Sequence, residues 1–180
     1  LVIGAASAVG HYAAQMAVLA GARVLGTAGS PAKAAHALAA GVDTVIDYKR
    51  EPVVQRVKAL TGGRGVDAVI DMDFSTTATW LAEGLLAPHG GLVGYGANSY
   101  TDIPIPFRTL LFSSISLHFF LVYDLTPAER RAAIDGLTRL LTTRRLAHSI
   151  GGRWPLAEIA AAHEAVEGGA LIGQVVLDIG

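Results

Sequence analysis

Short β-branched apolar runs alternate with longer alanine- and leucine-rich stretches along this chain. That alternation predicts a parallel sheet covered by helices on both faces. Leu1–Ile3 reads as a first strand. After it, Val9, Ala13, Met16, Ala17 and Ala20 recur at three- and four-residue intervals, predicting a helix with a narrow face of small side chains. Gly21 closes that helix, and Arg23 to Ala28 is a second strand. Ser30-Pro31 opens the next helix with an N-cap and a first-turn proline, and Val42 to Tyr48 is a third strand beyond Gly41. Glu51 to Leu60 reads as a helix stopped by Thr61-Gly62-Gly63, and Val66 to Asp71 as a fourth strand. A helix over Thr76 to Leu86 stopped by Pro88 follows, then a fifth strand from Gly91 to Gly96. Pro104 and Pro106 make Thr101 to Phe107 a loop. Ser114 to Val122 is a sixth strand, and Thr126, with Pro127 and Glu129, caps a helix reaching Thr143. The expected fold class is α/β: a doubly wound parallel sheet (Rossmann fold) of about six strands, with its ligand crevice at the carboxyl ends of the strands.

After Arg145 the alternation breaks. Pro155 to Val166 reads as a short helix stopped by Gly168-Gly169, and Leu171 to Ile179 as a final strand. Residues 1–146 and 147–180 are therefore expected to be two units.

Composition narrows the class. A chain of 180 residues with 52% hydrophobic and 16% charged residues can bury one substantial core. A net charge of −1 gives no electrostatic reason to expect nucleic acid or an anionic membrane as partner. The absence of cysteine excludes a disulfide, a cysteine-ligated zinc and a thiol nucleophile within these residues, and fits a cytoplasmic setting. No run approaches the length of a membrane span, and no signal segment opens the chain. The chain begins within a strand and without Met, and so reads as a piece of a longer protein.

The candidate chemistry starts at Gly4-Ala5-Ala6-Ser7-Ala8-Val9-Gly10, a turn of small residues between a strand and a helix. Such a turn lets backbone approach a pyrophosphate held at the helix N-terminus, where unpaired N–H groups and the dipole favour negative charge. It departs from the three-glycine pattern, because Ala5 and Ser7 stand where glycines would, and taken alone it fits a ligand-free turn equally well. A second observation sharpens it: no Asp or Glu occurs before Asp43. The acid that would hold a ribose 2′-hydroxyl is missing, while Ser30 and Lys33 offer a hydroxyl, a helix start and an ammonium to a 2′-phosphate. This reads as an NADP-type site. Ser30 as a plain helix cap and Lys33 as a solvated surface group are the alternative.

The residues resemble a family. Thr27-Ala28-Gly29-Ser30-Pro31-Ala32-Lys33, the Leu38-Ala39-Ala40-Gly41-Val42-Asp43 spacing, Val45-Ile46-Asp47-Tyr48 and Thr61-Gly62-Gly63-Arg64-Gly65-Val66-Asp67 match the pattern of the zinc-independent quinone oxidoreductases of the medium-chain dehydrogenase/reductase superfamily. Gly91-Leu92-Val93-Gly94-Tyr95-Gly96 and Gly173-Gln174-Val175-Val176-Leu177 extend the resemblance over essentially the whole chain. It implies an NADPH-binding domain of an enzyme that transfers hydride to a quinone or an activated carbon–carbon double bond. Ala8, Val9 and Gly10 would hold the pyrophosphate, and Ser30, Lys33 and Tyr48 the adenosine 2′-phosphate and ribose. Gly94, Tyr95 and Gly96 would lie near the nicotinamide. The segment 147–180 would return to a substrate domain preceding this sequence, so catalysis by these residues alone is not expected. The strand Ser114–Val122 would pair with its equivalent in a homodimer. Met72-Asp73-Phe74 departs from the family's small apolar run, placing bulk and charge at a strand's carboxyl end.

Other constellations point elsewhere only faintly. The six histidines show no ligand-pair spacing, and there is no Tyr-x-x-x-Lys pair, nucleophile elbow or Walker lysine. Asp67, Asp71 and Asp73 read as strand termini rather than paired acid–base carboxylates. A stand-alone nucleotide-sensing or interaction module is the alternative from a non-enzyme class. A methyltransferase is a weaker third, since its acidic glycine-rich first loop is absent.

Overall fold

The computed structural model describes residues 1–99 and 101–180. Its main sheet contains β1 (Leu25–Ala28), β2 (Thr44–Asp47), β3 (Val66–Asp71), β4 (Leu86–Gly94) and β5 (Ser116–Phe119), all parallel to their neighbours. The opening residues join the β1–β2 and β3–β4–β5 halves: Val2 bridges both Gly26 and Ile70. The Val2 N–H donates to Leu25 O (2.8 Å) and the Thr27 N–H to Val2 O (3.0 Å), while the Ile3 N–H donates to Ile70 O and the Ile70 N–H to Leu1 O (both 2.9 Å). The lateral order is thus β2, β1, the opening segment, β3, β4, β5, with the direction of winding reversing beside Val2. That reversal is where open α/β sheets form their crevice.

Alternation along the strands sends Val2 and Val24 to one face and Ile3 and Leu25 to the other. On the first face they meet Ala13 and Ala14 of α1 (Ala8–Leu19) and Ala37 of α2 (Pro31–Ala39). On the second they meet Val53, Val54 and Val57 of α3 (Val53–Leu60), and Phe74, Ala78 and Leu81 of α4 (Phe74–Leu81). The small alanine face of α1 allows close approach, and Gly10 in its first turn lies so near Gly4 that any Cβ there would collide with the Gly4 carbonyl.

The α/β doubly wound fold is present, with several boundaries corrected. Helix α4 ends at Leu81, not Leu86, because Leu85 and Leu86 are buried and Leu86 begins β4. Pro88 lies inside that strand rather than before it. Pairing with β3 jumps there from Val66↔Leu86 to Ala68↔Gly91, and His89 takes a positive φ of 63°. Strand β5 is shorter than Ser114–Val122, and α5 (Phe107–Phe112) forms directly after Pro106, overlapping the expected loop at Phe107 and otherwise filling a stretch for which no element was expected. Helix α6 (Pro127–Thr142) matches its sequence signals: the Thr126 hydroxyl accepts from the Glu129 amide, and the Glu129 carboxylate accepts from the Thr126 amide (2.8 Å).

The last residues build a separate parallel pair, β6 (Ile150–Pro155) and β7 (Gln174–Asp178), joined through α7 (Ile159–Glu167). Strand β6 was not expected, and α7 begins later than Pro155. Helix α1 holds the start of this unit. Gln15 Oε1 accepts from the Ala147 amide (2.7 Å), while Gln15 Nε2 (3.1 Å) and His11 Nε2 (3.0 Å) donate to the Ala147 carbonyl. The Tyr12 hydroxyl meets His148 Nδ1 at 2.9 Å.

Candidate functional site

The turn into α1 is fixed from three sides. Gly4 adopts φ +67°, which favours glycine, and its N–H donates to the buried Thr27 hydroxyl (2.9 Å). The Ser7 N–H returns to Gly4 O (2.8 Å). Ser7 is the N-cap of α1, its Oγ accepting from the Gly10 amide at 3.1 Å. The Ser7 hydroxyl is therefore turned into the helix instead of obstructing the crevice. Ala8 and Val9 are exposed, and as the first helical residues their amides have no intrahelical acceptor. Gly10 is buried and its amide is taken by Ser7, so its part is close packing, not an open donor.

At the carboxyl ends of β1 and β2 the sequence-predicted group assembles. Ser30 caps α2, its Oγ accepting from the Lys33 amide (3.3 Å), with Pro31 in the first turn. Tyr48 lies across the β1–α2 turn: a Cβ on Gly29 would stand 2.5 Å from the Tyr48 hydroxyl oxygen. No carboxylate stands at the end of β1, and Lys33 makes no ion pair among the described residues. The nearby Asp47 turns instead to the Lys49 amide (3.0 Å) and Arg50. Ala8, Lys33 and Tyr48 line one hollow of about 260 Å³ together with Ser7, Gly29 and Met72. Gly169, Leu171 and Gly173, from the connection into β7, complete its wall. Sequence reasoning missed this wall, since Gly168-Gly169 read only as a helix stop, Leu171 and Gly173 read as part of the final strand, and their approach to Lys33 is long-range.

Met72 borders this hollow and a second one of about 470 Å³, lined by Thr27, Tyr48, Asp73, Thr76, Trp80 and Asn98 among others. Gly94, Tyr95 and Gly96 are not gathered with Lys33 and Tyr48. They lie at the end of β4, with Gly94 against Phe119 and Gly96 against the Met72 carbonyl. Burial pushes the Asp71 carboxyl above its usual value despite hydrogen bonds from the Asp73 amide (2.9 Å) and Thr77 hydroxyl (3.0 Å); its Oδ2 has no hydrogen-bond partner among the described residues. Burial, with the Asp71 charge, raises the Tyr95 phenol. A third hollow at the opposite strand ends has its arginines in ion pairs, Arg23 with Asp43 and Arg64 with Asp67.

A parallel sheet that reverses its winding beside a helix N-terminus, with that helix entered through a tight small-residue turn, defines a dinucleotide-binding domain. The model of the family described as zinc-binding dehydrogenase matches residues 8–139, and the chain belongs to that family, as a cofactor-binding domain of the medium-chain dehydrogenase/reductase superfamily. A quinone oxidoreductase of Pseudomonas aeruginosa is 33% identical over 177 residues, covering 96% of this chain and 54% of that protein. A 2-haloacrylate reductase of a Burkholderia species is 31% identical over 98% of this chain and 54% of its own length. The crystal structure of Escherichia coli quinone oxidoreductase complexed with NADPH superimposes with a TM-score of 0.82 at 30% identity, over 99% of this chain and 56% of that one. The chain thus spans about half the length of these relatives. The family's description names zinc, but the sequence has no cysteine and no three His, Asp or Glu side chains gather among the described residues. This set of residues does not fit a zinc ion.

Proposed function

We propose that this chain is the NADPH-binding part of an oxidoreductase that passes hydride to a quinone or an activated carbon–carbon double bond, without zinc. The observation that carries the reading is the acid-free end of β1, where Ser30 caps α2, Lys33 makes no ion pair among the described residues, and Tyr48 folds over Gly29. A carboxylate there would accept from a ribose 2′-hydroxyl and repel a 2′-phosphate; a lysine and a helix start do the reverse.

When bound, NADPH supplies the hydride, and the protein's part is orientation and exclusion of water. The Ala8 and Val9 amides at the α1 N-terminus bind the pyrophosphate, with Gly10 permitting the close turn. Lys33 and Ser30 bind the 2′-phosphate, and Tyr48 flanks the ribose. The Gly169–Gly173 connection covers the phosphates, and Gly94, Tyr95 and Gly96 border the nicotinamide. The activity requires a second unit to hold the substrate, consistent with relatives about twice as long. The same reading makes the protein a cytoplasmic homodimer joined along β5. That strand ends the sheet, and Phe119, Leu121 and Val122 are exposed around it.

Calorimetric titration with NADPH and NADH tests the cofactor assignment. NADPH is expected to bind more tightly, and equal affinities would reject it. Lys33→Ala should weaken NADPH about tenfold, the scale of one charge-assisted hydrogen bond, and leave NADH unchanged.

A further inference from the structure

The cofactor reading leaves one network unused. Asp73 is the N-cap residue of α4, where an aspartate ordinarily accepts from the amides of its own helix. Here it makes no such bond. Its carboxylate faces the loop after β4 instead. Oδ1 accepts from the Asn98 amide (2.9 Å) and from the Ser75 hydroxyl, and Oδ2 accepts from Asn98 Nδ2 (2.8 Å) and the Thr76 hydroxyl (2.7 Å). Four donors fill the sites of an ionised carboxylate.

Two main-chain hydrogen bonds run alongside. The Phe74 amide donates to the Gly96 carbonyl (2.9 Å) and the Tyr95 amide to the Asp71 carbonyl (3.0 Å). Residues 71–74 and 95–98 are thereby zipped together. The approach is close enough that a Cβ on Gly96 would stand 2.6 Å from the Met72 carbonyl. The zipper joins the wall of the hollow beside Tyr48 to the loop carrying Tyr95 and Gly96.

We propose that Asp73 is a positioning residue: by clamping Asn98 it fixes the Tyr95–Asn98 loop, and so sets where the nicotinamide half of the cofactor sits. This rests on the cofactor reading above. It also gives the charge at this strand end a role. Asp73 does not confront the cofactor phosphates as a bare anion, because its oxygens are engaged by donors. Burial alone would raise its carboxyl, but the Ser75, Thr76 and Asn98 hydrogen bonds outweigh that and hold it below the usual value, so it remains ionised. An asparagine would fill the same space but present one acceptor oxygen and an NH₂ group toward existing donors.

The test compares NADPH with adenosine 2′,5′-bisphosphate, which carries the adenosine phosphates and lacks the nicotinamide half. Calorimetry on the 180-residue chain, Asp73→Asn and Asn98→Ala is paired with amide hydrogen exchange. Asp73→Asn should lower NADPH affinity about tenfold and bisphosphate affinity less than about threefold, the former being the scale of a lost hydrogen bond to a charged group. Exchange at Tyr95–Ser99 should accelerate while α1 is unchanged. Asn98→Ala, which leaves the carboxylate and its hydroxyl donors in place, should give the same pattern with smaller size and guards against a folding defect in Asp73→Asn. Equal losses of both ligands would make Asp73 merely a wall of the adenosine hollow and overturn the proposal, as would unchanged exchange at Tyr95–Ser99. If the unmodified chain binds neither ligand, the cofactor reading fails, and the nicotinamide claim falls with it. If it binds both but Asp73→Asn shows no selective loss, only the positioning role fails.

Discussion

Two units of the same kind sit in this chain with opposite fates. β1–α2–β2 and β6–α7–β7 are each a parallel strand pair connected by a nine-residue helix, and each helix buries a single alanine, Ala37 or Ala162. The strands differ. Every residue of β1 is buried and Ile46 of β2 is fully so, whereas no residue of β6 or β7 is. The first pair continues through Val2 into the main sheet, while the second is a two-stranded sheet of its own. A lone strand pair is marginal in water, so topology alone does not confer stability; lateral continuation of the sheet and coverage of both faces do. What the second unit has in compensation is its hydrogen-bonded start on α1.

The comparison breaks if core truncations cost the same in both units. Ile46→Ala should destabilise by about 2–5 kcal/mol in chemical denaturation, and the partly exposed Val176→Ala by well under half of that. Gln15→Ala leaves the Ala147 amide without its acceptor, a cost of about 1–3 kcal/mol that should fall on the second unit. Amide exchange should then rise across residues 150–178 and stay slow in β1 and β2; uniform acceleration would mean the two units are not separable. Thr126→Ala removes a cap on the exposed helix α6 and should cost about 1 kcal/mol of local stability, read by exchange in its first turn. The smallest effect is a pH dependence confined to the first region. Burial disfavours ionised Asp71, so its folded pKa lies above the unfolded one. The native chain therefore loses stability as pH rises through that raised value. Asp71→Asn, whose oxygen can still accept from Asp73 and Thr77, should melt higher than the native chain near neutral pH. The gap should close on acidification below the ordinary aspartate range. A gap that widens with acid would show that the ionised form is the stabilising one.

Local chemistry was the readable part of the sequence. Ser30-Pro31 and Thr126-Pro127 with Glu129 declare their helix starts, because caps are made by neighbours in sequence. The alternating apolar runs likewise yielded the strand series and the crevice. What escaped depended on distant partners. Strand β6, which holds Gly151-Gly152, carried no strand signal and forms only with β7 beside it, and Leu85-Leu86 continue a helical pattern until β3 draws Leu86 into the sheet. At the candidate site, the Ser30 cap and the nearness of Lys33 were legible from one turn, whereas Tyr48, which follows β2, was expected only through the family resemblance. The engagement of Thr27 with the Gly4 amide, the inward hydroxyl of Ser7 and the Gly169–Gly173 wall were not, since each is a contact across the fold.

The place of Val2 between β1 and β3 has a consequence for the order of assembly. Leu1–Ile3 are made before both of their neighbours in the sheet, and they gain the second only when Ile70 has been made. The β1 side can pair early, within about 25 residues of sequence, while the other side waits on a loop closure several times longer. Until then an apolar strand edge stands open at the centre of the future sheet. An interval with this edge exposed to aggregation therefore falls between synthesis of β1 and of β3, and a pause in translation within residues 29–65 would prolong it.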